Sequence, residues 1–129
     1  MIPSGLSARV QVLVQGDDTA EALGSGDVPV LGTPRVVAAF EAATVEAITA
    51  HLDAGTTSVG TRVVVDHQRA VPVGDSVVVS AHLVSVDGRL LQFEVAAVDA
   101  ADRLIASGRV TRVVVDRERF LDRAHSSRV

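Results

Sequence analysis

Between residues 8 and 14 the chain alternates. Ala8, Val10, Val12 and Val14 are separated by Arg9, Gln11 and Leu13. That period of two belongs to a strand with one buried face, with Leu13 the exception on its polar side. Gly16 to Asp27 is rich in Gly, Asp and Ser. It reads as a loop with one helical turn near Thr19 to Leu23. The period then lengthens. Val36, Val37, Phe40, Ala43, Thr44, Ala47, Ile48 and Leu52 fall on one stripe of a helix predicted over residues 33–53. Thr33 is a suitable N-cap and Pro34 a suitable first helical residue. Val36 stands where a capping box would have Glu or Gln. Asp53-Ala54-Gly55 ends the helix.

The rest is strand-like. Ser58 to Val71 is rich in Val and Thr, and Pro72-Val73-Gly74-Asp75 makes a turn. Ser76 to Val86 follows, then the hairpin signal Asp87-Gly88, then Arg89 to Val98. A turn at Asp99 to Asp102 leads into Arg103 to Val115, and Asp116 to Arg123 reads as a short helix or irregular tail. The predicted class is α+β. A curved antiparallel sheet wrapped around one long helix buries both apolar faces, although other open-sheet α+β topologies share the pattern. One domain over residues 1–129 is expected: strand and loop 1–32, helix 33–53, strands 58–115 and tail 116–129.

Composition narrows the chemistry. The chain has 129 residues and 47% hydrophobic content, enough for a core without metal or disulfide staples. It has no cysteine, which excludes disulfides, thiolate nucleophiles and Cys-ligated zinc, and which fits a reducing cytoplasm. It has no lysine, which excludes Schiff-base chemistry and a phosphate-loop lysine. The net charge of -4 and only three aromatics, Phe40, Phe93 and Phe120, argue against nucleic acid as a partner. No apolar run approaches the ~20 residues of a membrane span, and Met1 to Gly5 lacks the basic and apolar regions of a signal peptide. His51, His67, His82 and His125 show no paired ligand spacing, so no metal is expected. There is no Gly-x-Ser-x-Gly elbow.

Three polar residues stand out. On a helical wheel Glu41 falls inside the apolar arc and Glu46 faces away. A carboxylate at that border suits a base or nucleophile; the bland alternative is a rim Glu reaching for water. His67 shares strand parity with Val59, Val63 and Val65 and should face the helix unless a bulge intervenes. It suits proton transfer, although a lone inward His is commonly a core residue. Thr33 is explained by capping alone. A helix N-terminus can also stabilise negative charge as it develops on a substrate oxygen.

These residues sit in Gly32-Thr33-Pro34, in Phe40-Glu41-Ala42-Ala43, and in Val59-Gly60-Thr61 running on to His67. Further on come Asp87-Gly88-Arg89, Phe93-Glu94-Val95, Ser107-Gly108 and Arg112. Their shared order and spacing, from about Val28 to Phe120, resemble the hot-dog-fold acyl-CoA thioesterases of the fluoroacetyl-CoA thioesterase type. The resemblance implies a hot-dog fold, a catalytic set of Thr33, Glu41 and His67, and substrate contacts from Gly60, Thr61 and Phe40. It also implies a homodimer or higher homo-oligomer acting on acyl-CoA, without cofactor. Two departures stand out. Members of the family often carry a His and a Glu where this chain has Gly108-Arg109-Val110-Thr111-Arg112. No aromatic occurs in Leu23-Gly24-Ser25-Gly26-Asp27-Val28, which speaks against a tight aromatic lid and against fluoroacetyl selectivity.

The expected activity is hydrolysis of an acyl-CoA thioester. Glu41 would deprotonate water or attack the thioester to give an anhydride. His67 would assist proton transfer and hold the carboxylate or water. Thr33 would donate to Glu41 or to the acyl carbonyl, and Gly60 would allow close backbone approach. Arg109, Arg112, Arg117 and Arg119 are candidate contacts for CoA phosphates, though exposed arginines are common. The alternatives are a non-catalytic protein that binds acyl-CoA or a small apolar acid in the same pocket, and a hot-dog hydratase, whose usual Asp and His arrangement is not found.

Overall fold

The structure, a computed structural model, describes residues 2–126. Strand β1 (Ser7–Leu13) leads through a short 3-10 turn (Gly16–Asp18) and helix α1 (Ala20–Leu23) to the long helix α2 (Thr33–Ile48). Strands β2 (Thr56–His67), β3 (Ser76–Asp87), β4 (Leu90–Asp99) and β5 (Leu104–Asp116) follow, and helix α3 (Arg117–Ser126) ends the described chain. The strands form one antiparallel sheet in the order β1-β3-β4-β5-β2, so β1 and β2 are its edges. Helix α2 contacts all five strands. No helix among the described residues is long and apolar enough to cross a membrane.

The core lies between α2 and the sheet. Val36, Ala39, Phe40, Ala43, Thr44, Ala47 and Ile48 form the buried face of α2. They pack in one cluster with Val77, Val79, Leu83, Leu91, Phe93 and Val110 of the sheet. Ala39 takes a buried place that periodicity gave to Val37, which is half-buried. Removing the fully buried Phe40 ring would cost about 3–5 kcal/mol.

The helix departs from expectation at both ends. It stops at Ile48, and Thr49–His51 tightens into a 3-10 turn. There the Thr49 hydroxyl donates to the Val45 carbonyl, a competition with helical bonding typical of Thr. At the start, Gly32 is the cap and Thr33 the first helical residue. A Cβ at position 32 would press on Ala20 N and Leu23 Cδ1 of α1, both at 3.0 Å. Glycine is needed there, so the cap has no side chain and the Thr33 hydroxyl is free for another partner.

Strand β2 contains a bulge. Gly60 pairs with Arg112 and Arg62 with Thr111, leaving Thr61 without a place in the ladder. Beyond it Val63, Val65 and His67 pair with Val110, Gly108 and Ala106. Paired residues share a face, so Gly60, Val63, Val65 and His67 all lie on the helix side with the buried Val110 and Arg112. Val59, expected on that face, is turned to the other and pairs with Val113. The strand also ends at His67, earlier than Val71, because residues 68–72 are taken by other partners. Gln68 and Arg69 N–H donate to Ile105 O, and Val71 O accepts from Leu31 N–H at 2.8 Å.

Candidate active site

The site residues form two groups. At the start of α2, Thr33 Oγ1 lies 2.9 Å from His67 Nδ1. The Nε2 atom of His67 is shielded from solvent and has no hydrogen-bond partner among the described residues. A buried polar atom left unpaired costs free energy unless something arrives to bond it, which is what a substrate oxygen or a water would do. Gly32, not Thr33, is thus the helix cap, and within one chain the Thr33 hydroxyl meets His67.

The second group lies further along the same helix. Glu41 Oε2 is 3.4 Å from Arg112 Nη1, with the Glu41 side chain 37% exposed and that of Arg112 only 7%. Arg112 Nε donates to Ser58 Oγ at 2.8 Å, and its Nη2 donates to Ser58 O at 3.0 Å. Burial lowers the pKa of the guanidinium from its ordinary value, and the Glu41 charge pushes it back up. Opposite them is Gly60. A Cβ built there would collide with Glu41 Oε2 and sit 3.4 Å from Arg112 Nη1. The missing side chain makes room for the carboxylate. Thr44 Oγ1 donates to Glu41 O at 2.6 Å and firms that turn of the helix.

Glu41 and Thr33 are eight residues apart in α2, roughly 12 Å along the axis. Gly60 and His67 are separated by a comparable or longer stretch of β2, roughly 20 Å. Glu41 therefore stands at the Gly60 end and Thr33 at the His67 end. Within one chain Thr33 meets His67, and Glu41 meets neither. Thr61 is exposed on the bulge, its hydroxyl 3.5 Å from Thr111 O. Phe40 is fully buried in the core cluster and lines no part of the cleft beside His67. Of the arginines considered for phosphate, Arg109, Arg117 and Arg119 are exposed and Arg112 is not. Sequence reasoning missed Ser58 and the inward course of Arg112. The parity of Arg112 with Val110 and Val114 signals that course.

A cleft of about 270 Å³ adjoins the Thr33–His67 pair. Ala20, Ser25, Val28, Val30 and Leu31 form one wall, and Gln68, Arg69 and Ala70 the other. Glu41 is not part of its lining. No group of three His, Asp or Glu among the described residues could hold a metal ion.

The family model described as fluoroacetyl-CoA-specific thioesterase matches residues 14–118, a stretch that includes Thr33, Glu41, Ser58, Gly60, His67 and Arg112. The chain belongs to this family. It is 41% identical over 91 residues to the fluoroacetyl-CoA thioesterase of Streptantibioticus cattleyicolor, across 70% of this chain and 65% of that protein. It is also similar to a threonine-to-serine variant of the fluoroacetyl-CoA thioesterase FlK solved with acetyl-CoA. That match has a TM-score of 0.91 and 29% identity and covers 99% of this chain and 100% of the other. A hot-dog-like protein from Thermanaerovibrio acidaminovorans, 23% identical, superposes with a TM-score of 0.90 over 99% of this chain and 94% of that one. The fold of this member of the fluoroacetyl-CoA thioesterase family is accordingly the hot-dog fold.

Proposed function

We propose that the protein hydrolyses acyl-CoA thioesters to the carboxylic acid and CoA. The observation that carries this reading is the Glu41 carboxylate. It is half-exposed, held on one oxygen by a buried arginine, and given space by a glycine on the facing strand. Its exposure admits water, which favours the base role over direct attack. Glu41 would take a proton from water. The resulting hydroxide would add to the thioester carbonyl carbon, the C–S bond would break, and the CoA sulfur would leave with the proton. Arg112 would hold the carboxylate in place. With Thr33 donating to Nδ1, His67 Nε2 would carry a proton and could donate to the carbonyl oxygen as it becomes negative.

This reading brings Glu41 and His67 together through a homodimer, or a higher homo-oligomer built from it. The outer edge of β2 is unpaired among the described residues, and such edges invite pairing with another strand. Two β2 strands paired antiparallel about their middles would bring the Gly60 end of each protomer towards the His67 end of its partner. One protomer's Glu41 would then face the partner's Thr33–His67 pair across a shared cleft. Cysteine-free and acting on CoA esters, such an enzyme is suited to the cytoplasm.

The test is CoA release from a panel of acyl-CoAs by wild type and by Glu41→Gln. No release above the variant would leave the non-catalytic binding reading. Mixing Glu41→Gln with His67→Ala tests the shared site. Heterodimers would regain one intact site, giving about a quarter of wild-type activity after statistical exchange. Sites confined to one chain would regain none.

A further inference from the structure

We infer that Arg69 is a specificity-determining residue that binds an anionic oxygen group of the substrate, a carboxylate or a phosphate, in the cleft beside Thr33 and His67. This rests on the thioesterase reading for its substrate and on the cleft itself for its geometry. The cleft is built rather than incidental. Its two walls are joined by the Leu31 N–H bond to Val71 O and by the bridge between Val30 and Pro72. The first wall is braced from behind, where Ala20 N–H donates to Val30 O at 2.8 Å and Gly32 N–H donates to Asp18 O at 2.8 Å. The lining is otherwise small or apolar, with Ser25 and Gln68 its remaining uncharged polar members besides Thr33.

Arg69 supplies the one fixed positive charge in that lining. Its backbone N–H is tied to Ile105 O at 3.2 Å, while its side chain takes part in no ion pair or hydrogen bond among the described residues. No Asp or Glu is part of the cleft lining, and Asp18, behind the first wall, has its Oδ1 bonded to Arg35 Nε at 3.0 Å. Asp66 lies on the outer face of β2, paired with Ser107. An unpaired guanidinium at the wall of a cleft lined by no carboxylate favours an oxygen anion over a bare hydrocarbon tail, and it can bind one through two parallel N–H bonds.

Two parts of an acyl-CoA carry such a group: the far end of a dicarboxylic acyl chain, and the phosphates of CoA. The experiment uses four substrates, propionyl and succinyl thioesters of CoA and of pantetheine, with wild type, Arg69→Ala and Arg69→Lys. The expected result is a fall of about tenfold or more in kcat/KM for Arg69→Ala, carried by KM and partly restored by Lys. A fall that follows succinyl on either thiol assigns the acyl carboxylate. A fall that follows CoA with either acyl group assigns the phosphates. An equal effect on all four substrates, or none, overturns the proposal. Calorimetric binding of CoA and of succinyl-CoA to the same proteins separates this from the enzymatic reading. If no substrate turns over but Arg69→Ala still weakens binding of the anion, hydrolysis is the part that is wrong. If binding is equal in both proteins, Arg69 is.

Discussion

Thr33 Oγ1 stands 2.9 Å from His67 Nδ1, joining the first turn of the helix to the last residue of an edge strand. A hydroxyl in that place fixes the ring and determines what Nε2 can offer. Thr33→Ser should keep most activity, because the oxygen remains. Thr33→Val, of matching shape, should lower kcat by roughly tenfold or more. Steady-state kinetics on the best acyl-CoA checks the pair, and equal rates for Val and Ser would remove Thr33 from the mechanism.

Glu41→Gln should lower kcat by roughly 10²–10⁴ while the melting temperature changes little, because the side chain is half-exposed. Hydrolysis of a single turnover in ¹⁸O-water distinguishes base from nucleophile. As a base, Glu41 leaves the label in the product acid only. Label found in the Glu41 side chain would establish the anhydride route.

Two glycines should respond oppositely to a methyl group. At Gly60 the obstacle is the Glu41 carboxylate, and the backbone there has no left-handed conformation. Gly60→Ala should impair turnover with a small effect on stability, of the order of 1 kcal/mol or less. At Gly108 the obstacle is the Val64 carbonyl oxygen, which is backbone and cannot step aside. Gly108→Ala should therefore push β2 from β5 and lower the melting temperature markedly. Denaturation curves and rates for both variants provide the comparison.

Arg112→Lys should fail to replace arginine. An ammonium cannot hold Ser58 Oγ, Ser58 O and Glu41 in one planar fork. The expected result is a loss of kcat larger than the change in KM, and a less stable fold because the Ser58 groups lose their donors. A variant with wild-type kcat would show that Glu41 works without this arginine.

Asp99 gives a pH signature remote from the site. The Arg103 N–H holds its carboxyl below the usual value, against desolvation and with help from Ala101 N–H and the Arg103 guanidinium. A depressed folded pKa stabilises above the unfolded value and is lost as pH falls through the folded one. Asp99→Asn should be less stable than wild type at neutral pH, and the gap should close in acid. Melting curves between about pH 7 and pH 2 would show it.

Much of this was readable in the residues. Alternation locates the first strand, Val and Thr richness between turn signals locates the other four, the period of 3.6 locates the long helix, and the wheel puts Glu41 at the edge of the buried face. Other features depend on contacts that no local pattern carries. Thr33 looked like a cap because the reason for Gly32, the approach of α1, lies in tertiary packing. The bulge at Thr61 reassigned Val59 while leaving Val63, Val65 and His67 inward. Arg112 was inward by its own alternation, yet its charge suggested the surface. The distance between Glu41 and His67 emerged only when helix and strand were laid side by side.

The bulge has a further bearing on how this chain can vary. Gly60 and His67 are seven positions apart, an odd number that would normally send them to opposite sides of a strand. The extra residue at Thr61 changes the reading frame of the strand midway and lets both serve the same side. Were Thr61 drawn into the ladder as an ordinary strand residue, the imidazole and its two valines would turn outward. The side to which the imidazole points is thus set by whether this residue stays out of the ladder, not by what its side chain is.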